Sequence, residues 1–348
     1  MAMRLLVSAI GAVAILACQA AAPAQAQGAA DEFYKGKTIQ MLIGFQAGTG
    51  YDTYARTLAR HLGKHLPGNP AIVPQNMTGA GGLVAANHIY NLAPKDGTMI
   101  GIFNRSTILD PLFGSPEAKF DALKYLWIGS MGPEVSVCIS WAKSPFKTWE
   151  DVKRQEFIAA ATSFSADTGV YPTLFNTVLG TKMKVIVGYR GGPEMSQAIE
   201  QGEAHGRCGW SWTAVKATKP DWLENKSIHV LLQAGLRKSA DLPDVPLVLD
   251  LAANDRQRQI LTLAFAPQQI AWPFVGPPGL PPERQAMLRK AFDAATRDPA
   301  LMEEGKKLKL DIDPMSGAEV ERIVAGLYQT PADVVDEVRK IMRPVQKK

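Results

Sequence analysis

Short apolar runs and helically spaced apolar positions take turns along this chain. Residues 39–45 form an apolar run that breaks into the small-residue loop Gln46-Ala47-Gly48-Thr49-Gly50. Immediately after it, Tyr51, Tyr54, Ala55, Leu58, Ala59, Leu62 and Leu66 recur at the spacing of one helical face. The exchange repeats, with a strand predicted at 71–74, a helix at 82–92 and a strand at 99–104. Strands alternating with helices in this way predict an α/β unit on a largely parallel sheet.

An irregular segment follows, punctuated by Pro111, Gly114, Pro116 and Gly129. Residues 135–141 then read as a strand crossing into a second α/β unit. That unit has helices at 148–155, 170–179 and 194–201, and strands at 157–161, 185–187, 206–210 and 229–234. The chain returns through a strand stub at 270–276 and the turn Pro277-Pro278-Gly279-Leu280-Pro281-Pro282. Helices are predicted from there at 283–297, 300–307, 317–329 and 331–342. A lone strand followed by helices cannot close a sheet of its own, so this end is expected to dock on the first unit. The reading is an α/β protein of two lobes: residues 27–134 and 271–348 form lobe 1, and residues 135–270 form the inserted lobe 2, reached by two crossing strands.

The first residues stand apart from this pattern. Met1 to Arg4 supply a short positive start, Leu5 to Ala17 an apolar stretch and Ala24-Gln25-Ala26 an A-x-A cleavage site. Residues 1–26 therefore read as an export signal, and the mature chain starts near Gln27. The apolar stretch is far shorter than the ~20 residues a membrane span needs. A rival reading takes Ile15-Leu16-Ala17-Cys18 as a lipoprotein acceptor, although Leu16 suits that motif poorly. Roughly 320 mature residues exceed what one compact core usually holds, which agrees with two lobes. The formal charge of +5 becomes +4 once Arg4 is removed, a small excess mixed with acids throughout. That balance argues against a nucleic-acid partner and suits a small anionic one. Two cysteines remain after cleavage, Cys138 and Cys208. In an oxidising compartment they can form one disulfide, or they can pack as buried free thiols, and sequence supplies no distance to decide.

Several blocks of the mature chain, in order, carry a resemblance. They are Lys37-Thr38-Ile39, Gly44-Phe45, Ala47-Gly48-Thr49-Gly50, Asp52 and Ala55-Arg56. Asn76-Met77-Thr78-Gly79-Ala80-Gly81-Gly82 and Pro94-Lys95-Asp96-Gly97-Thr98 follow. The last are Gly188-Tyr189-Arg190-Gly191-Gly192-Pro193, Ile199-Glu200-Gln201-Gly202-Glu203 and Phe274-Val275-Gly276-Pro277-Pro278-Gly279-Leu280-Pro281. Each is weak alone, but the ordered set resembles the Bug family, the TctC-like extracytoplasmic solute receptors of tripartite tricarboxylate transporters. The chain departs from the family pattern at the inserted Lys95, at the missing Tyr after Gly97, at Arg190 in place of Lys, and at Trp210 and Trp212. The resemblance implies a type II periplasmic binding protein fold with two crossing hinge strands. It further implies a small carboxylate held between the lobes and passed to membrane permease subunits of such a transporter. A periplasmic location and a monomer that hinges are expected, with no cofactor and no metal.

The candidate ligand contacts lie on strand-to-helix turns. The first group is Phe45, Ala47, Gly48, Thr49, Gly50 and Asp52: backbone N–H groups converge at a helix start, where the helix dipole favours an anion. Asp52 is expected to organise that loop, since a carboxylate beside an anion repels it. The same turn also fits glycines needed for geometry alone. Gly81 and Gly82 form a second such loop. Asn104, Arg105 and Ser106 end a strand with polar groups, and Arg105 is the candidate for a bidentate pair with a carboxylate. From lobe 2, Ser163, Ser165 and Thr168 offer hydroxyls, which cap helices as readily as they bind ligands. Tyr189 sits on another strand-to-helix turn with a cleft or hinge role implied by the resemblance. Strand alternation places Trp210 and Trp212 on one face, as pocket lining that favours an apolar or aromatic acid or as plain core.

Catalysis is not expected. None of His61, His65, His88, His205 and His229 neighbours a Gly-x-Ser-x-Gly elbow, which the chain lacks. His61 and His65 stand four apart on the first helix, on a basic face with no nearby acid in the sequence. Gly48-Thr49-Gly50 is not a dinucleotide fingerprint, because Thr53 stands where the third glycine belongs. The alternatives are a ligand sensor for another uptake or signalling system and, further away, a periplasmic hydrolase.

Overall fold

The computed structural model describes residues 33–164 and 166–342, and the segment expected to be an export signal, with Cys18, lies outside them. The first apolar run becomes strand β1 (Thr38–Ile43). Ile39, Met41 and Ile43 are buried on one face; on the other, Leu42 is buried while Thr38 and Gln40 are exposed, so only the end of the strand is covered on both sides. It pairs in parallel with β2 (Ala71–Asn76) and β3 (Met99–Ile102). Helices α1 (Gly50–Leu62) and α2 (Leu83–Asn91) make the crossovers.

The segment read as irregular contains a further strand, β4 (Leu126–Ser130), buried along its whole length. Gly129, which looks like a breaker in the sequence, lies within this strand. A Cβ there would stand 2.2 Å from the Phe292 ring on α9 (Pro282–Ala295), so this glycine serves close helix packing and breaks nothing. The returning strand β10 (Pro273–Gly276) inserts antiparallel between β3 and β4, and β11 (Met315–Ser316) edges β4. The completed sheet runs β11-β4-β10-β3-β1-β2, built from both ends of the chain.

A second sheet, ordered β7-β6-β8-β5-β9, comes from the middle of the chain. Its strands are β5 (Ser136–Trp141), β6 (Phe157–Ala160), β7 (Met183–Ile186), β8 (Gly206–Ser211) and β9 (Ile228–Ala234). β6 runs parallel to β7 and β8, while β5 runs antiparallel to β8 and β9. Helices α3 (Trp149–Arg154), α4 (Asp167–Leu179) and α5 (Gly192–Glu200) connect them. Cys138 and Cys208 are joined in a disulfide that ties β5 to β8, which settles the choice sequence left open.

Three helices in this lobe were missed. Ser211 caps α6 (Trp212–Thr218) by accepting from Ala214 N–H at 3.3 Å, so strand alternation stops at Ser211 and Trp212 opens a helix. A short α7 (Pro220–Glu224) follows. In α8 (Asp255–Phe265) the apolar positions lie only in the second half, behind a polar Asp-Arg-Gln-Arg-Gln start that hides the period.

The two crossings lie side by side. Met131 N–H donates to Trp272 O at 3.2 Å, Ala271 N–H to Gly132 O at 3.1 Å and Glu134 N–H to Gln268 O at 2.9 Å. Two short paired segments as the main covalent links between lobes make a hinge. Helices α10 (Pro299–Lys307) and α11 (Gly317–Leu327) stay with the first sheet. The last helix, α12 (Ala332–Met342), does not: it packs on α4 and α8 of the middle lobe, burying Val334, Val335 and Val338. Arg256 fixes it there through Asp333 at 2.6 Å and Glu337 at 2.8 Å. Among the described residues no helix is long and apolar enough to cross a membrane.

Candidate functional site

The loop after β1 is organised around Asp52. Gly48, at φ +81°, turns its N–H onto Asp52 Oδ2 at 2.9 Å. Arg56 Nε and Asn76 Nδ2 each donate to Oδ1 at 2.8 Å. Asn76 also donates to Phe45 O at 2.8 Å, which pins the loop to the end of β2. Burial opposes ionisation of Asp52, but the hydrogen bonds from Asn76, Gly48 and Arg56 outweigh it and hold the carboxyl below its usual range. Thr49 caps α1: its hydroxyl accepts from Asp52 N–H at 3.4 Å and donates to Gln46 O at 2.9 Å. The Thr49 hydroxyl is thereby used by the loop itself.

Aromatic rings wall this corner. Phe45 stacks on Tyr51 with centroids 4.3 Å apart, Tyr51 meets Trp272 edge-on at 5.1 Å, and Tyr54 stacks on Trp272 at 4.0 Å. Gly50 lies under the same tryptophan, where a Cβ would come within 3.1 Å of the indole. The second loop carries positive φ at Gly79, Ala80, Gly81 and Gly82, and a Cβ on Gly82 would stand 3.0 Å from Asn104 N. Glycine is required there so that the loop after β2 can lie against the loop after β3. Asn104 caps the following turn by accepting from Ser106 N–H at 2.9 Å.

Arg105 stands at the junction of these loops and is buried. Tyr51 hydroxyl accepts from its backbone N–H at 3.1 Å and, more loosely, from Nη1 at 3.5 Å. Its nearest carboxylate is Asp167, 3.8 Å from Nη2 and itself half exposed at 45 %. Burial works against the guanidinium charge, but Tyr51, Tyr171, Asp167 and Glu134 together keep its pKa above the ordinary arginine value. The guanidinium is therefore charged and shielded from water, and among the described residues no carboxylate holds it at hydrogen-bond distance.

Asp167 brings lobe 2 into the picture. α4 starts at Asp167, three residues before the predicted start, so Thr168 falls in its first turn. Thr168 hydroxyl accepts from Thr162 N–H at 3.1 Å, and Ser163 hydroxyl accepts from Ala166 N–H at 3.1 Å. Ser165 lies outside the described residues. Tyr171, one turn on, hydrogen-bonds Gln268 Nε2 at 2.9 Å; that nitrogen also reaches Ser136 Oγ at 3.0 Å. Glu134, on the hinge, accepts from Ser211 Oγ at 2.6 Å, and burial pushes its carboxyl above the usual range. Further along the same seam, Asp311 of lobe 1 accepts from Thr213 Oγ1 at 2.8 Å and Lys216 Nζ at 3.0 Å of lobe 2. A cavity of about 380 Å³ opens here, lined by Glu134, Trp212, Asp241, Gln268 and Asp311 among others.

The candidates from sequence thus separate into groups. Phe45, Gly50, Asn104 and Arg105 are drawn together in lobe 1, with Thr168 one residue from the carboxylate that faces Arg105. Ala47 is an exposed residue of the first loop, and Tyr189 is half-buried against the second lobe's core. Trp210 is buried in that core, edge-on to Trp222 at 6.0 Å, and Trp212 shares the core while its indole N–H donates to Asp241 at 2.9 Å. His61 and His65, read as lacking an acid, meet Glu304 at 2.7 Å and Asp298 at 2.9 Å from the α10 end of the chain. Among the described residues no group of metal-ligating side chains assembles. Tyr51, Glu134, Asp167 and Gln268 were not picked from sequence. Tyr51 and Asp167 sat inside segments already singled out, whereas nothing local marks the others.

Two sheets joined by a paired hinge, with glycine loops and a buried arginine at the seam, define a two-lobed solute-binding protein. The sequence profile of the tripartite tricarboxylate transporter family receptors (TctC) matches residues 54–339, and the chain belongs to that family. No curated protein sequence matches it. Among solved structures it is similar to a TctC solute-binding protein from Polaromonas, at 16% identity and TM-score 0.67 over 87% of this chain and 99% of that one. It is also similar to MatC from Rhodopseudomonas palustris with bound malate, at 19% identity and TM-score 0.59 over 86% and 99% of the two chains. An R. palustris protein with adipate matches at 16% identity and TM-score 0.63 over 88% and 97%. The family and the fold are those of solute-binding proteins.

Proposed function

We propose that this protein is a periplasmic receptor that captures a small organic carboxylate between its lobes and delivers it to permease subunits of a tripartite tricarboxylate transporter. One observation carries the reading: Arg105 is buried at the meeting point of three loops, and its best acidic partner is a half-exposed Asp167 at 3.8 Å. A ligand carboxylate arriving there exchanges that loose contact for a bidentate, charge-assisted pair. The Phe45–Tyr51 stack supplies an apolar wall for the carbon skeleton. Asp167 comes from the other lobe, so the same approach couples capture to closure about the 131–134 and 268–272 segments. The neighbours with malate and adipate are consistent with an acid of this size.

Thermal unfolding of the mature chain against carboxylates and their amides tests this. A ligand at 100-fold over its Kd adds about 2.7 kcal/mol to the folded state, a readable shift. Acids are expected to stabilise and their amides to do nothing. Arg105→Gln should weaken the best acid by about tenfold to a hundredfold, as expected for a charged hydrogen bond of about 1.5–3 kcal/mol. Unchanged affinity in that variant would remove Arg105 from the site, and no response to any acid would remove the carboxylate reading.

A further inference from the structure

Asp167 belongs to lobe 2, but the cation set against it belongs to lobe 1. Its Oδ2 lies 3.8 Å from Arg105 Nη2, beyond hydrogen-bond distance. The residue is fixed on its own lobe: it opens α4, and a Cβ on Gly209 of β8 would stand 2.6 Å from the Asp167 carbonyl. Its distance from Arg105 is therefore set largely by how the lobes stand about the paired hinge.

The titratable groups around this contact come from every side of the seam. Arg105 approaches from the turn after β3, Tyr51 from α1 and Tyr171 from α4 itself, one turn on. Glu134, on the hinge, shares the field of Arg105. Burial holds both tyrosines above their ordinary range, so neither titrates near neutrality. Burial also pushes the Asp167 carboxyl above the usual aspartate range, and Arg105 offsets that only in part. A ligand carboxylate that pairs with Arg105 alters this balance in three ways. The guanidinium charge is neutralised, a second anion stands beside Asp167, and lobe closure removes water from both. Each change favours the neutral acid. A proton then passes from solvent to an Asp167 carboxylate oxygen. The resulting COOH group is a donor toward the ligand carboxylate that the ionised form would repel.

We propose that Asp167 makes this receptor take up a proton together with each carboxylate it binds, so that acid loads the site and alkali empties it. This rests on the carboxylate reading of Arg105 and adds to it the condition under which that site fills. In the ligand-free protein Asp167 is the counter-ion that occupies the arginine and competes with the ligand. Protonation removes that competitor. The sign follows: affinity rises as pH falls through the higher, ligand-bound pKa of Asp167 and levels off below the lower, ligand-free one.

The test is calorimetric titration of the mature protein with acetate, benzoate, malate and adipate between about pH 6.5 and 8.5, where the acids themselves stay ionised. The best-bound acid should gain about threefold to tenfold in affinity for each unit of pH lowered within that range. Titrations at one pH in HEPES and in Tris, which differ in ionisation enthalpy, read the proton directly: the two binding enthalpies should differ in the sense of net uptake, by up to about one proton. Asp167→Asn keeps the side-chain shape and cannot take a proton. It should bind the same acid at the top of the range about as tightly as the parent does at the bottom, with no pH slope and no buffer dependence. A parent whose affinity is flat in pH, with no proton uptake, overturns the inference and spares Arg105. A slope that Asp167→Asn retains also overturns it and assigns the proton to another group, Glu134 first. Binding by the variant and never by the parent overturns it too, because the proton does not arrive. Failure of all four acids to bind either protein sinks this inference and the carboxylate reading together.

Discussion

Removing the Cys138–Cys208 bond is the perturbation whose size follows most directly from the fold. The two residues are 70 apart in sequence, and the bond closes that loop within one sheet. In the chain-entropy account, a loop of this length constrains the unfolded chain by about 4 kcal/mol. Converting this to a melting shift depends on what melts. Unfolding entropy scales at about 2.1 cal/mol/K per residue. If the whole mature chain unfolds as one unit, the double variant Cys138→Ala/Cys208→Ala should melt about 6 °C lower. If lobe 2 unfolds alone, roughly 140 residues share the loss and the shift grows to about 14 °C. Differential scanning calorimetry of parent, reduced parent and double variant reads both the size and the cooperativity. A shift below about 2 °C, or two thiols titrating in the unreduced unfolded protein, would refute the reasoning.

Further outcomes follow from other buried groups. Asp52→Asn places an amide where Gly48, Arg56 and Asn76 all donate, and should cost about 2 kcal/mol in chemical unfolding at neutral pH. The carboxyl's folded-state pKa is depressed below the 3.8 reference, so its contribution is present above that pH and lost as pH falls through the lower folded value. The gap between parent and variant should therefore shrink in acid. Glu134 has the opposite sign: burial raises its folded-state pKa above the 4.5 reference, so its stabilising share is complete below that reference and lost as pH rises through the folded value. Glu134→Gln should raise the melting temperature at neutral pH and flatten that slope; a variant less stable than the parent at neutral pH would contradict it. Asp311→Ala removes the Thr213 and Lys216 contacts across the seam. Both charged partners are partly exposed, so stability should change by under about 1 kcal/mol, while small-angle scattering of the ligand-free protein should show a larger radius of gyration.

Much of the candidate site was visible early, but unevenly. The Phe45–Asp52 and Gly79–Gly82 loops stand out because glycines between an apolar run and a helical period leave few alternatives. Arg105 was singled out from its place at a strand end. Its real distinction, burial without a close acid, depends on Tyr51 and Asp167 approaching from positions far apart in sequence. The missing acids beside His61 and His65 came from residues 298 and 304, which no reading of α1 could supply.

Sequence by itself determined the two-lobed α/β order, the return of the chain to its first sheet and the glycine turns, because periodicity and turn chemistry act over a few residues. Tertiary structure alone decided that β4 is a strand, that α12 crosses to the middle lobe, that the two cysteines meet, and which arginines lose their water. Those outcomes depend on which surfaces are brought together, and burial is a property of the assembled chain.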